Sequence, residues 1–299
     1  MEIKWPKFRI MNQKNALLLK HTLTLLVLFF TFQVSSVLGN DDLRPYTQKL
    51  ENSKDIGKTK IILLQMSNKY GLLYPDSIIY YYEKHQDKIS LESEIDLKIT
   101  NNAASSYYKK GSLDKAGEFY AKIVEAAKGK GGVYEPIYLK SFQNTGLVLQ
   151  AKGESDKAEA IYMQTLKECS NEYDSIKMSV MLNLYLIAYY KGDLEKAGEW
   201  ADKTIAIGEK IDQPATLGKA YNFAAVVFAQ QGDYVRAKPY YIKAYRLANL
   251  TENFESASTS SQNLGTCYKE LEQFDSAVHY LSLSYELHKK YYKLTTPLI

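Results

Sequence analysis

Five asparagines stand at matching places along the chain. Asn102, Asn144, Asn183 and Asn263 each lie nine residues before Gly111, Gly153, Gly192 or Glu272, and Asn222 lies ten before Gly232. A carboxamide donates and accepts hydrogen bonds at once. A row of them can grip the backbone of an extended chain, or cap and bridge neighbouring helices. No other set of reactive side chains recurs. G-x-S-x-G, H-E-x-x-H and G-x-x-x-x-G-K-[ST] do not occur in the sequence. His85, His279 and His288 share no ligand spacing with a cysteine or with clustered acids, so they read as surface or groove side chains and no metal is expected. The glycines of KGKGG (Gly129, Gly131, Gly132) follow a predicted helix and do not join a strand to one, which reads as a loop in preference to a phosphate cradle. A hydrolase would lack any acid–base constellation. The expectation is a non-enzyme with no cofactor.

The asparagines are placed by a repeat. YYKKGSLDKAGEFY (107–120) recurs as YYKGDLEKAGEW (189–200) and, more faintly, as LQAKGESDKAEAIY (149–162), FAQQGDYVRAKPYY (228–241) and YKELEQFDSAVHYL (268–281). A fixed period of this kind means stacked structural units. Aligned on Ala116, Ala158, Ala197, Ala237 and Ala277, the period is near 40 residues, and LLYPDSIIYYYEKH (72–85) is an earlier, worn copy with Ile78 in the alanine position. Each of the six units reads as two helices around a turn. Gly111, Gly153, Gly192 and Gly232 supply the positive φ that ends the first helix. Glu272 replaces the glycine in the last unit, so a looser turn is expected there. A small residue seven before the glycine (Ala104, Gly146, Ala225, Gly265) is expected to face the alanine series across the pair; Tyr185 breaks that rule. Pro136 and Pro214 mark the starts of new first helices.

The small–aromatic–Gly–Ala order, and NLGTCY at 263–268, resemble the tetratricopeptide repeat family in its longer, roughly 40-residue variety. The resemblance implies an all-α fold: a right-handed superhelical solenoid of stacked antiparallel helix pairs. It covers residues 59–292, after a signal peptide (1–39) and a lead-in (40–58), with a tail at 293–299. It also implies that the asparagine position faces a concave groove and holds a peptide backbone. Groove positions on this reading are Asn102, Asn144, Asn183, Asn222 and Asn263, with Lys98, Tyr108, Lys140, Gln143, Gln150, Tyr189, Lys219 and Gln262 beside them.

The leader has its own pattern. A basic stretch precedes LTLLVLFFTFQV (23–34), and small residues follow in SSVLGNDD. This is the order of a secretory signal, with cutting expected after Gly39, or after Ser36; Met11 is an alternative start. The apolar run is short for a membrane span, so an uncleaved anchor is the rival reading. Outside residues 1–39 the basic and acidic residues balance, and no footprint for nucleic acid is expected. Cys169 and Cys267 fall at different repeat positions and read as buried thiols. The 26 tyrosines sit mostly at helical spacing, as core or groove walls.

The expected function is an exported scaffold, periplasmic or extracellular, that binds a peptide or protein in its groove. The alternative is the sensory ectodomain of a signal-transduction regulator, of the kind that continues into a helix-turn-helix or kinase module. A solenoid whose last repeat has no capping helix exposes apolar surface. Self-association or docking through Leu281, Leu283, Tyr285 and Leu287 is therefore expected.

Overall fold

The computed structural model describes residues 42–71 and 73–295; the expected signal peptide with its cleavage sites, and the chain after 295, lie outside them. Among the described residues there are thirteen α-helices and no strand. Helix α1 (Arg44–Asn52) lies within the expected lead-in and buries Leu43 and Leu50 against the first unit. Six pairs follow: α2 (Ile56–Tyr70) with α3 (Pro75–Lys84), α4 (Glu94–Lys109) with α5 (Leu113–Ala127), α6 (Glu135–Ala151) with α7 (Ser155–Glu168), α8 (Asp174–Tyr190) with α9 (Leu194–Gly208), α10 (Pro214–Gln230) with α11 (Tyr234–Leu250), and α12 (Phe254–Glu270) with α13 (Phe274–Thr295). The architecture is an all-α solenoid of adjacent helix pairs.

Local chemistry sets the boundaries. Gly111, Gly153, Gly192 and Gly232 take φ of 76°, 80°, 79° and 76°. The last first-helix carbonyls are then satisfied by the turn: Gly232 N–H donates to Ala229 O at 3.0 Å and Asp233 N–H to Phe228 O at 2.9 Å. Asp193 and Asp233 cap the next helix by accepting from Lys196 N–H and Arg236 N–H. Pro136 falls in the first turn of α6 and Pro214 opens α10, as expected. The last turn is not looser. Glu272 adopts φ of 57° and keeps both bonds, Glu272 N–H to Lys269 O at 3.0 Å and Gln273 N–H to Tyr268 O at 2.8 Å. The hydrogen-bond geometry of the turn is stronger than the side chain's reluctance to enter the left-handed region.

The pair interface corrects one expectation. A Cβ added to Gly146 would meet the Tyr162 ring at 2.5 Å, and one added to Gly265 would meet Leu281 Cγ at 2.8 Å. The small residue therefore faces a large one, four residues past the alanine of the second helix. Van der Waals volume must sum to the space between the axes, so small opposes large. In α8 and α9 the sizes are exchanged. Tyr185 is buried, and the residue four past Ala197 is Ala201, also buried in the same cluster. Tyr185 stacks on Phe223 of α10, with ring centroids 4.2 Å apart, and its hydroxyl donates to Phe223 O at 3.2 Å.

Polar links tie unit to unit. Lys60 Nζ lies 2.8 and 2.9 Å from the two carboxylate oxygens of buried Asp96. Burial alone would raise the Asp96 pKa, but the Lys60 ammonium with the Ser93 and Ser90 hydroxyls holds it below the usual carboxylate range. That contribution to stability is present above the ordinary carboxylate pKa and is lost as pH falls through the lowered one. Outside, the lysine before three of the four turn glycines reaches the preceding unit: Lys110 to Asp76 at 3.0 Å, Lys152 to Asp114 at 2.6 Å, Lys191 to Asp156 at 2.7 Å. Cys169 is half-buried and Cys267 buried; burial pushes each thiol up to about 11, which leaves them protonated and unreactive at neutral pH. His85, expected at a surface or groove, is buried beyond the end of α3, where burial and the Lys88 charge lower its pKa.

Candidate ligand groove

The curvature of the stack follows from which helices touch. Each first helix from α4 onward contacts the first helix of the preceding unit as well as its own partner, whereas extensive contacts between successive second helices are missing among the described residues. The first helices are thus the inner layer, and their outward-turned side chains line one continuous face.

The asparagines lie on that layer and most of them reach the next helix along. Asn102 Nδ2 donates to Ser67 Oγ at 2.9 Å and to Asn68 Oδ1 at 2.6 Å, from α4 to α2. Asn144 Nδ2 donates to Asn101 Oδ1 at 3.4 Å, and Ser141 Oγ donates to the same oxygen at 3.3 Å, from α6 to α4. Asn263 Nδ2 donates to Asn222 Oδ1 at 3.1 Å, from α12 to α10. Asn183 is half-buried in α8 and makes no such bridge. The arrangement is a broken ladder of amides. Half-buried Asn102 and Asn263 use their nitrogens and keep their oxygens for a donor, whereas Asn144 is buried and also bonds the Tyr120 hydroxyl.

The flanking positions divide. Lys140 and Lys219 are exposed, one turn before Asn144 and Asn222, with no acid in ion-pair contact; Lys98 pairs with Glu94 of its own helix. Gln143 is buried beside Asn144, and Gln262 is exposed beside Asn263. Tyr189 is half-buried, stacked on Tyr185, and its hydroxyl accepts from Gln230 Nε2 at 3.1 Å. Gln150 accepts from the Tyr162 hydroxyl at 3.2 Å, and Tyr108 is half-buried. The face therefore offers amide oxygens, two unpaired ammonium groups and aromatic walls. No group of three or more His, Cys, Asp or Glu side chains that could hold a metal is found among the described residues.

Sequence reasoning missed the acceptors Ser67, Asn68 and Asn101. Asn101 precedes Asn102 directly, so a doubled asparagine was the available signal. Ser67 and Asn68 lie in the worn first copy, where no glycine or alanine register points to them.

These features define a class: a helical repeat solenoid with a polar inner face. Two stretches, residues 96–167 and 216–290, match the family model described as Tetratricopeptide repeat, together just under half of the chain. Across those two stretches the chain carries tetratricopeptide repeats. Both matches omit the α8–α9 pair, in which the sizes are exchanged. No curated protein matches the sequence. Among solved structures it is similar to the apo form of RapI, with 15% identity, 89% of this chain and 96% of that chain covered, and a TM-score of 0.63. It is similar also to a signal-transduction ATPase with a tetratricopeptide repeat sensor from Pyrococcus horikoshii, with 16% identity, 88% of this chain, 40% of that chain and a TM-score of 0.61. BtubC from P. vanneervenii follows, with 15% identity, 80% and 92% coverage and a TM-score of 0.57. At these identities the likeness shows the fold.

Proposed function

We propose that this chain is an exported, non-enzymatic scaffold that holds an extended peptide or protein segment along the inner face of its first helices. The observation that carries the reading is the amide ladder, in which the oxygens of half-buried Asn102 and Asn263 make no bridge, flanked by Lys140 and Lys219, which make no ion pair among the described residues. A peptide backbone presents an N–H at every residue, which the open oxygens accept; a ligand carboxylate would meet the ammonium groups. Export rests on the basic–apolar–small order of residues 1–39, and the intact mass of the protein from the envelope fraction decides it. The sensory reading shares this groove; it rests on the resemblance to longer-repeat regulators, and the similar Pyrococcus horikoshii protein carries a tetratricopeptide repeat sensor.

The test is the double variant Asn144→Ala with Asn183→Ala, probed with a peptide selected against the native protein from a random display library. Each groove hydrogen bond contributes about 0.5–1.5 kcal/mol, so affinity is expected to fall roughly 5- to 150-fold. Asn183→Ala alone should leave melting unchanged, because Asn183 bridges nothing, whereas removing buried Asn144 takes a donor from buried Asn101 at a cost of about 1–3 kcal/mol, so affinity is read on the folded fraction. A large drop in melting temperature with unchanged affinity of the folded protein would falsify the groove.

A further inference from the structure

Tyr190, the last residue of α8, is the most exposed large apolar side chain among the described residues, at 78%. It exceeds the side chains expected to be uncovered on the last helix, where Leu281 and Tyr285 are exposed but Leu283 and Leu287 half-buried. A single exposed ring is ordinary on a protein surface. Three features set this one apart. It stands seven residues after Asn183, two helical turns, so ring and amide share the inner-layer face of α8 about 10 Å apart. The same row holds Ala151 in α6, too small to cover the ring, and Gln230 in α10, whose amide is turned to the Tyr189 hydroxyl at 3.1 Å. The ring is also the open end of a stack that starts in the core. Phe223 and Tyr185 lie 4.2 Å apart at 10°, Tyr185 and Tyr189 5.8 Å apart at 12°, and Tyr190 meets Tyr189 edge-on at 5.7 Å. Finally, other partly exposed rings carry a lysine of the chain: Lys84 over Tyr80, Lys130 over Tyr134, Lys290 over Phe254. Among the described residues no cation lies over Tyr190.

Helix α8 thus presents a ladder amide that makes no bridge and an uncovered ring on one face. The 10 Å between them is the length of about three extended residues. A backbone held at Asn183 therefore brings a side chain of the same segment to Tyr190. The charges nearby decide what that side chain is. Lys140 and Lys219 stand on the same inner layer without ion pairs and repel a second cation. Lys191, next to the ring, is held by Asp156 and Glu159 at 2.7 and 2.8 Å, so it offers no charge to an anion. A neutral planar group remains, and aromatic rings pair with one another at the centroid distances already seen along this stack. We infer that Tyr190 is a specificity-determining residue of the groove and receives an aromatic side chain, Phe, Tyr or Trp, of the bound segment. The inference rests on the groove reading and names the side chain that the groove selects.

The test selects a random-peptide display library on the purified full chain, in parallel on native protein, Tyr190→Ala and Tyr190→Phe. Tyr190 is exposed, so melting and helix content of both variants should stay native. Peptides from the native chain should share an aromatic residue at one position. Tyr190→Phe keeps the ring and should keep that preference; Tyr190→Ala should lose it. One selected peptide and its aromatic→Ala version, each measured against native and Tyr190→Ala protein, close a double-mutant cycle. The two changes should couple by roughly 2- to 13-fold in affinity. The Asn144→Ala/Asn183→Ala protein separates the two readings. A Tyr190-dependent aromatic preference that survives it supports the ring subsite and overturns the amide grip. Binding that needs the asparagines but shows no aromatic preference, a preference unchanged in Tyr190→Ala, strict additivity in the cycle, or Lys and Arg in place of aromatic residues each overturn the ring subsite and leave the groove standing. A library that yields no binder to the native chain overturns both.

Discussion

In α8, Tyr185 fills the place that other first helices give to alanine or glycine. In the α12–α13 turn, Glu272 fills the place that other turns give to glycine. Both units depart from the repeat, but the departures are balanced differently. Around Tyr185 a second change, Ala201 where four other units have tyrosine, restores the summed volume, and the ring gains a stacked partner in Phe223. Around Glu272 nothing compensates: the residue sits at φ of 57° in a turn otherwise like its neighbours. The outer fastening differs as well. Lys191 ties the α8–α9 turn to Asp156 and Glu159 of the unit before it, whereas the corresponding residue of the last turn is Leu271. An interior unit is constrained from both sides, and its exceptions must be matched. The last described unit, with one neighbour among the described residues, tolerates an unmatched one.

The largest effect should come from separating the matched pair. Tyr185→Ala opens a cavity and strips the Phe223 contacts, at about 3–5 kcal/mol. Ala201→Tyr alone drives a second ring against Tyr185, at about 1–3 kcal/mol. The double variant Tyr185→Ala/Ala201→Tyr rebuilds the arrangement of the neighbouring units, and should cost at least about 1 kcal/mol less than the two singles summed. It should not reach the native value, because the stacking and hydrogen bond to Phe223 are not rebuilt. Denaturant midpoints of the four proteins measure this; strict additivity would show that the two positions do not share one volume.

That exchange also marks what the sequence made legible. Helix pairs, turn glycines and the all-α stack could be read from period and residue type, because those depend on contacts a few residues apart. The opposition of small to large could not, because it is a contact between residues sixteen apart whose partner is known only when both helices are placed: Gly146 with Tyr162, Gly265 with Leu281. Tyr185 looked like a broken rule until Ala201 stood opposite it. The asparagine row was visible, but its bridges to Ser67, Asn68 and Asn101 were not, since a side chain's partner across the unit boundary carries no periodic signal. Lys60 with Asp96 is the extreme case: one partner lies in the worn copy, and neither residue recurs in register.

The smaller effect tests the uncompensated departure. A non-glycine residue held in the left-handed region costs about 1–2 kcal/mol relative to right-handed backbone. Glycine there avoids most of that cost but loses about 0.5–1 kcal/mol through the larger freedom of its unfolded chain. Glu272→Gly should therefore stabilise the last unit by about 0.5–1 kcal/mol. Glu272 is exposed and makes no side-chain hydrogen bond or ion pair among the described residues, so none opposes the gain there. In a solenoid each unit's stability depends on its neighbours and units open separately, so a global melt would dilute the change. The sensitive readout is amide hydrogen exchange along α13, where protection should rise roughly two- to fivefold. Gly232→Glu in the α10–α11 turn is the mirror experiment. A side chain at Gly232 meets no atom within 4 Å, so its cost is that of the backbone alone, and it should lower protection in α11. Unchanged or reduced protection of α13 in Glu272→Gly would mean that the last turn carries no strain, and the contrast with the balanced α8–α9 pair would disappear.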